Sequence, residues 1–362
     1  MMTEEGSAHA VQADKDGLRL QHALPRILLE WYDQNARLLP WRKDCIPYHI
    51  WLSEIMLQQT RVEVVKTYYT RFLEEIPTVE ELAQTDEQKL LKLWEGLGYY
   101  SRARNLQKTA RRIVDEYVGH FPETYEQLLK LPGVGPYTAG AIASICFGQP
   151  VPAVDGNVLR VISRIMGLDD RVKASEGKKL ITASLVEIYP KDRSGDFTQS
   201  LMELGATVCL PKGTPKCRIC PVSTFCKAFQ NNTGLHWSGK QNKKIKKIED
   251  ITVFLFSCQG NIAIHRRKKD GLLAGLWEFP NVQGKLDEQQ AIELAAQWKT
   301  QPVSMIKSLQ RVHIFTHIKW HMTCYYIACT AQPACFTWMN QAVVAGTYAL
   351  PTAFKVFLDD QN

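Results

Sequence analysis

Residues 128–147 read LLKLPGVGPYTAGAIASICF, and the reading of the first half of the chain turns on them. A helix ends at Lys130, a tight turn runs through Gly133 and Gly135, and a helix of small residues begins behind it. Both glycines are read as supplying positive φ and close backbone approach. Amide N–H groups at the start of the following helix can then hold a phosphate oxygen, independent of base sequence. An ordinary turn between helices uses the same residues, so on this stretch alone an anchor and a plain turn both stand.

Outward from this turn the pattern stays helical. Apolar side chains recur three and four apart from Leu18 to about Cys226, as at Trp51, Ile55, Met56, Val62 and Tyr68. Pro40, Pro122, Pro132-Gly133, Pro150, Pro152 and Pro211 punctuate the helices. Residues 22–230 therefore read as one all-helical domain. Ahead of it, residues 1–21 are small, polar and charged, as in a disordered tail. Residues 231–250 are polar, with five lysines from Lys240 to Lys247, and read as a basic linker. Beyond it ITVFLFSCQGNIAIHRR carries two apolar runs around a turn at Gly260-Asn261, and HMTCYYIACT is rich in β-branched and aromatic residues. Residues 251–362 form a second, α+β domain on this reading.

Two domains suit 362 residues, and 45% hydrophobic with 22% charged residues excludes a wholly disordered or collagen-like chain. No apolar run approaches the ~20 residues that span a bilayer. The first residues lack the basic and apolar regions of a secretory signal, so the expected home is the cytosol. A formal charge of +7 permits a polyanionic partner without proving one.

Ten cysteines in a cytosolic chain point to metal or redox chemistry before disulfides. Cys209, Cys217, Cys220 and Cys226 stand close together, enough thiolates for one soft metal centre. Zinc sites usually pair two CxxC knuckles and only one CxxC is present, which favours an iron–sulfur cluster with zinc as the alternative.

Two carboxylates stand out. Asp155 lies between an extended Pro-containing stretch and a helix, the place of an N-cap, where backbone donors and the helix dipole favour the anion. Such an anion can stabilise a developing cation beside it. Glu54 sits among Leu52, Ile55 and Leu57, so either it makes a surface polar pair or it is partly buried with a raised pKa, ready to give up a proton near neutrality.

The longer motifs carry a resemblance. LPWR (39–42), SEIMLQQTRV (53–62), WEGLGYYSRARNL (94–106), LPGVGPYTAGAI (131–142), VDGNVLRV (154–161), MELGATVC (202–209) and GLWEFP (275–280) occur in this order. Over about residues 22–362 the chain resembles the MutY-type adenine DNA glycosylases, within the helix-hairpin-helix superfamily that also holds endonuclease III. The resemblance implies a helix-hairpin-helix domain with a 4Fe-4S cluster on the four grouped cysteines, followed by a Nudix-like domain. It implies hydrolysis of the N-glycosidic bond of adenine opposite 8-oxoguanine or guanine in double-stranded DNA, by a monomer in the bacterial cytoplasm at the nucleoid. Glu54 then serves as general acid and base, Asp155 stabilises the oxocarbenium-like sugar, and Asn157 orients it.

By the same resemblance Tyr137, Arg37, Trp41, Arg42 and Gln199 surround the flipped adenine or Asp155. Gln59, next to Thr60, and Tyr99 wedge into the base stack, and Phe315, Thr316 and His317 read 8-oxoguanine. Two departures from the family pattern stand in the sequence. Seven residues separate Cys209 from Cys217, where the family usually has six. Thr316 replaces a serine, which keeps the hydroxyl and adds a methyl group. The segment after GLWEFP has Glu288 and Glu293 but no RExxEExG box, so nucleotide hydrolysis is not expected. Tyr137 stands where the superfamily's lyases carry a lysine for Schiff-base chemistry, so the enzyme is expected to be monofunctional.

Overall fold

The computed structural model describes residues 23–168, 174–231 and 246–359. The tail read over 1–21 and most of the linker read over 231–250 lie outside the described residues. Two compact units emerge, residues 1–84 with 105–240 and residues 85–104 with 241–362. Among the described residues no helix is long and apolar enough to cross a membrane.

The helices follow in chain order as α1 (23–35), α2 (Pro47–Leu57), α3 (Val62–Glu75), α4 (Val79–Gln84), α5 (Glu87–Leu93), α6 (Ser101–Tyr117), α7 (Tyr125–Leu128), α8 (Pro136–Phe147), α9 (Gly156–Met166), α10 (Ala174–Ile188), α11 (Ser194–Thr207) and α12 (Lys227–Gln230). A short 3-10 turn, Pro40–Arg42, precedes α2. In the first unit α2 and α8 pack against each other and are apolar on nearly every side, as a helix buried all round must be. The small residues of α8 have a steric cause: a Cβ on Gly140 would lie 2.5 Å from the carbonyl oxygen of Pro152. A second core gathers Leu28, Val158, Val161, Ile181, Phe197, Leu201 and Leu204, each burial contributing about 1.5–3 kcal/mol. It fixes α9 and α11 against each other, and with them the start of α9 at Asp155.

The second unit is built on β1 (Lys247–Cys258), β2 (Asn261–Arg266), β3 (Trp277–Glu278), β4 (Asn281–Gln283), β5 (Pro302–Ile314), β6 (Ile318–Cys329) and β7 (Thr337–Asn340). With them come α13 (Glu288–Gln297), α14 (Gln341–Thr347) and α15 (Thr352–Asp359). β1 starts inside the stretch read as linker. β1 and β6 run parallel from Lys247↔Ile318 to Ser257↔Ala328, and the other pairings are antiparallel, so the sheet is mixed. The turn between β1 and β2, read at Gly260-Asn261, forms one residue earlier as a two-residue loop, Gln259-Gly260, with φ of 50° and 78°, because Asn261 already pairs with Cys258. Two positive φ values match the right-handed twist of the strands it joins. The β5–β6 hairpin closes over Phe315, Thr316 and His317, with the Phe315 N–H bonded to the Ile318 carbonyl at 2.8 Å.

Residues 85–104 group with this unit although no shift of composition marks them off. Lys92 Nζ donates to the Ala345 carbonyl at 2.6 Å, the Leu350 N–H donates to Glu95 at 2.9 Å, and Arg104 Nη2 donates to the Ala274 carbonyl at 2.8 Å.

Candidate active site

Glu54 is held by the helix that buries it. Its neighbours on α2 are apolar, the helix is wedged against α8, and the residue is only 5% exposed. Burial disfavours the carboxylate and pushes Glu54 up to about 7. The Tyr137 hydrogen bond and the charge of Arg42 pull the other way, while the charge of Asp155 adds to the rise. Tyr137, on the first turn of α8, donates its O–H to Glu54 Oε2, and its oxygen lies 3.8 Å from Met202 Sδ. Burial, with the nearby carboxylates, lifts the phenol well above its usual range, so it stays a donor.

Asp155 is the N-cap of α9, as its sequence context indicates. One carboxyl oxygen accepts from the Val158 N–H at 2.7 Å and the other from Asn157 Nδ2 at 2.8 Å. The expectation of an ordinary low carboxylate pKa needs correction. Burial raises Asp155 above its usual value, and the hydrogen bonds of the cap return only part of that cost. Asn157 is itself fixed, its Oδ1 accepting from Arg160 Nη2 at 2.9 Å. Arg160 Nη2 also reaches the Gly205 carbonyl at 2.8 Å. A Cβ at Gly205 would stand 2.7 Å from the Cβ of Asn157, which accounts for glycine in the MELG run.

Glu203, which sequence reasoning passed over, completes the wall. Its side chain is fully buried on α11, where Oε1 takes Arg37 Nε and Oε2 takes Arg42 Nη2 at 2.7 Å. Arg37 Nη2 adds a bond to Oε2 at 3.1 Å, and Arg42 Nη1 donates to the Arg37 carbonyl at 3.2 Å. Burial raises Glu203, and the two guanidinium groups more than reverse it, leaving the carboxyl below its ordinary value. No signal within α11 sets it apart, because its partners lie more than 160 positions away in the chain.

These groups line one cavity of about 680 Å3, within the usual size of a small-molecule site. Glu54, Tyr137, Asp155 and Asn157 share it with Arg37 and Arg42. Trp41, buried edge-on against Tyr69 at 5.6 Å, and Gln199 line it too, as do Gln59 and Thr60 at the end of α2. Gln59 is exposed and holds φ at 61°, a left-handed conformation costly for a side chain without a compensating role.

Gly133 has φ at 73°, and a Cβ there would lie 2.9 Å from the Cβ of Asn105. Gly135 departs from the reading: its φ is −92°, any residue could adopt it, and what it offers is open space before α8. Tyr99, Phe315, Thr316 and His317 meet in the second unit, around a cavity of about 600 Å3. Tyr99 is half exposed with φ at 46°, and its hydroxyl lies 2.9 Å from Thr316 Oγ1. Phe315 packs edge-on against Trp320 at 4.8 Å, leaving Thr316 and His317 exposed at the hairpin tip.

Cys209, Cys217, Cys220 and Cys226 line a common, apolar cavity with Val161, Ile165, Leu204 and Val208. Among the described residues no three His, Cys, Asp or Glu side chains are poised around a single metal ion. The seven-residue spacer closes back on itself, with the Lys216 N–H bonded to the Val208 carbonyl at 3.0 Å and Gly213 at φ 72° absorbing the turn. Arg164 Nη1 donates to Cys209 Sγ at 3.1 Å.

Residues 52–191 match the family model of the HhH-GPD superfamily base excision DNA repair proteins, and residues 252–360 match the NUDIX domain. The chain is 35% identical to the adenine DNA glycosylase of Homo sapiens over 92% of this chain and 74% of that protein. Against the adenine DNA glycosylase of Buchnera aphidicola subsp. Baizongia pistaciae the identity is 36%, over 82% of this chain and 83% of that one. The structure of a thermostable thymine-DNA glycosylase superposes with a TM-score of 0.55 at 29% identity, over 59% of this chain and 98% of that chain.

Proposed function

Because the chain belongs to the adenine DNA glycosylase family, we propose that it excises adenine standing opposite 8-oxoguanine or guanine in duplex DNA. The observation that carries this reading is the cavity where Glu54, near neutral pKa, and Asp155, held by the Val158 N–H and by Asn157, line one wall together.

Adenine inside a duplex is out of reach, so the base turns out of the stack into this cavity. Glu54 gives its proton to adenine N7 as the bond between N9 and the sugar C1′ breaks, and the bonding pair leaves with the base. The sugar becomes an oxocarbenium-like cation, which the Asp155 carboxylate stabilises while Asn157 and the Val158 N–H hold that carboxylate in place. Glu54, now an anion, takes a proton from the water that adds to C1′. Tyr137 keeps Glu54 oriented through its O–H, and Trp41, Arg37, Arg42 and Gln199 enclose the base. Tyr137 has no amine to form a Schiff base, so the reaction stops at hydrolysis.

Gln59 and Tyr99, both in left-handed backbone, are the residues that fill the stack, and Thr316 with Phe315 and His317 reads the opposing 8-oxoguanine. The turn at Gly133 and Gly135 holds a DNA phosphate. The four thiols fit a 4Fe-4S cluster, since they enclose one apolar cavity inside a loop of their own: Cys209, Cys217, Cys220 and Cys226 would hold it. The chemistry such a cluster would supply is a cross-link between the four thiolates, which would order the loop with Lys212, Lys216 and Arg218. The protein acts as a monomer on DNA in the cytoplasm of a bacterial cell, at the nucleoid.

The test is excision from duplexes carrying adenine opposite 8-oxoguanine, guanine or thymine. Release is expected with the first two and not with thymine, and borohydride is expected to trap no stoichiometric covalent adduct. Equal release opposite thymine would overturn the mispair assignment.

A further inference from the structure

We infer that Glu203 is a positioning residue for excision, whose buried carboxylate holds the guanidinium groups of Arg37 and Arg42 at the cavity wall and offsets their charge there. This rests on the reading of the cavity as the adenine site. The geometry is specific: a side chain with no exposure receives Arg37 through Nε and Nη2 and Arg42 through Nη2 at 2.7 Å. A carboxylate taken this far from water persists only with such partners. Arg42 is only 13% exposed, and its second nitrogen is spent on the Arg37 carbonyl, so the arginines and Glu203 form one interlocked group.

Two guanidinium groups against one carboxylate leave a single net positive charge on this wall. Glu54 faces the same cavity and already feels the charge of Arg42. The other groups turned toward Glu54 are Tyr137 and Cys146 from α8 and Asp155 from the start of α9, with Lys178 from α10 on the cavity rim. If Glu203 were neutral, the wall would carry two positive charges. A nearby cation favours the ionised carboxyl, so Glu54 would lose its proton at lower pH and the acid needed for excision would be scarcer above neutrality. A residue that merely packs the fold would have no such dependence.

The experiment is single-turnover adenine excision from pH 5 to pH 9, at saturating enzyme, for the wild-type chain, Glu203→Gln, Glu203→Asp and the double variant Glu203→Gln/Arg37→Gln. In Glu203→Gln the alkaline fall-off should move to lower pH by about half a unit or more, which makes the loss of rate at pH 8 about threefold greater than at pH 5.5. Glu203→Asp should keep the wild-type fall-off, and the double variant, with the net charge restored, should move back toward it. If Glu203→Gln does not fold, Arg37→Gln alone decides, since removing a cation should shift the fall-off to higher pH. A uniform loss of rate with an unmoved profile in these variants would overturn the inference. Failure of the wild-type chain to release adenine at any pH would instead overturn the reading of the site.

Discussion

Glu54→Gln should separate what this side chain does for the reaction from what it costs the fold. The substitution keeps size and leaves an oxygen to accept the Tyr137 O–H, so little changes except the ability to ionise. The carboxyl ionises at 4.5 when unburied and at about 7 in the folded cavity. The folded state therefore binds more protons than the unfolded state between these values, and stability attributable to this group is fully present below 4.5 and lost as pH rises to about 7. At about 1.4 kcal/mol per pH unit, that rise corresponds to about 3 kcal/mol. Relative to the wild-type chain, Glu54→Gln should gain about that much above neutrality and little near pH 4.5. With about 2–4 °C per kcal/mol for a unit of this size, its midpoint should stand about 6–12 °C higher at pH 8 and only about 2–3 °C higher at pH 5. Excision should meanwhile fall by about 100-fold to 10,000-fold, the usual worth of a general acid, while DNA binding stays measurable. Thermal unfolding followed by circular dichroism at the two pH values, beside single-turnover excision, tests both halves. A midpoint difference independent of pH, or normal excision by the variant, would refute the reasoning.

Five further substitutions probe the remaining parts. Asp155→Asn retains a side chain that caps as well as aspartate, so it should lose excision with little change in melting temperature, whereas Asp155→Ala should also destabilise by about 1 kcal/mol. Gly133→Ala must place a Cβ at positive φ against Asn105, costing about 1–2 kcal/mol, while Gly135→Ala should leave the melting temperature unchanged and weaken binding to every duplex alike, as read in a filter or anisotropy titration. Thr316→Val removes the hydroxyl beside Tyr99 at constant shape; the preference for adenine opposite 8-oxoguanine over guanine should narrow, and an unchanged preference would detach this hairpin from lesion reading.

What the sequence made legible were features set by neighbours in the chain. Asp155 follows an extended segment and precedes an apolar helix, which is enough to make it a cap, whereas the apolar neighbours of Glu54 leave a surface pair and burial both open until its packing decides for burial. A turn between two β-like runs is legible too, to within one residue: it is read at Gly260-Asn261 and stands at Gln259-Gly260. What stayed hidden depends on residues far apart. Glu203 meets Arg37 and Arg42 across more than 160 positions, and nothing local distinguishes it from a surface acid at a helical period. The grouping of residues 85–104 with the sheet depends on Lys92, Glu95 and Arg104 finding carbonyl and amide partners beyond residue 270. The raised pKa of Asp155 is hidden for the same reason, because the cap is local but the burial that outweighs it is not. A buried carboxyl costs stability unless something in the cavity uses or neutralises it. Three of them line this one, each with a different answer: Glu203 is neutralised by arginines, Asp155 is held by the donors of its cap and by Asn157, and Glu54 keeps its proton. That division puts a proton donor and a prospective anion in one cavity, the pair that the proposed breaking of an N-glycosidic bond requires.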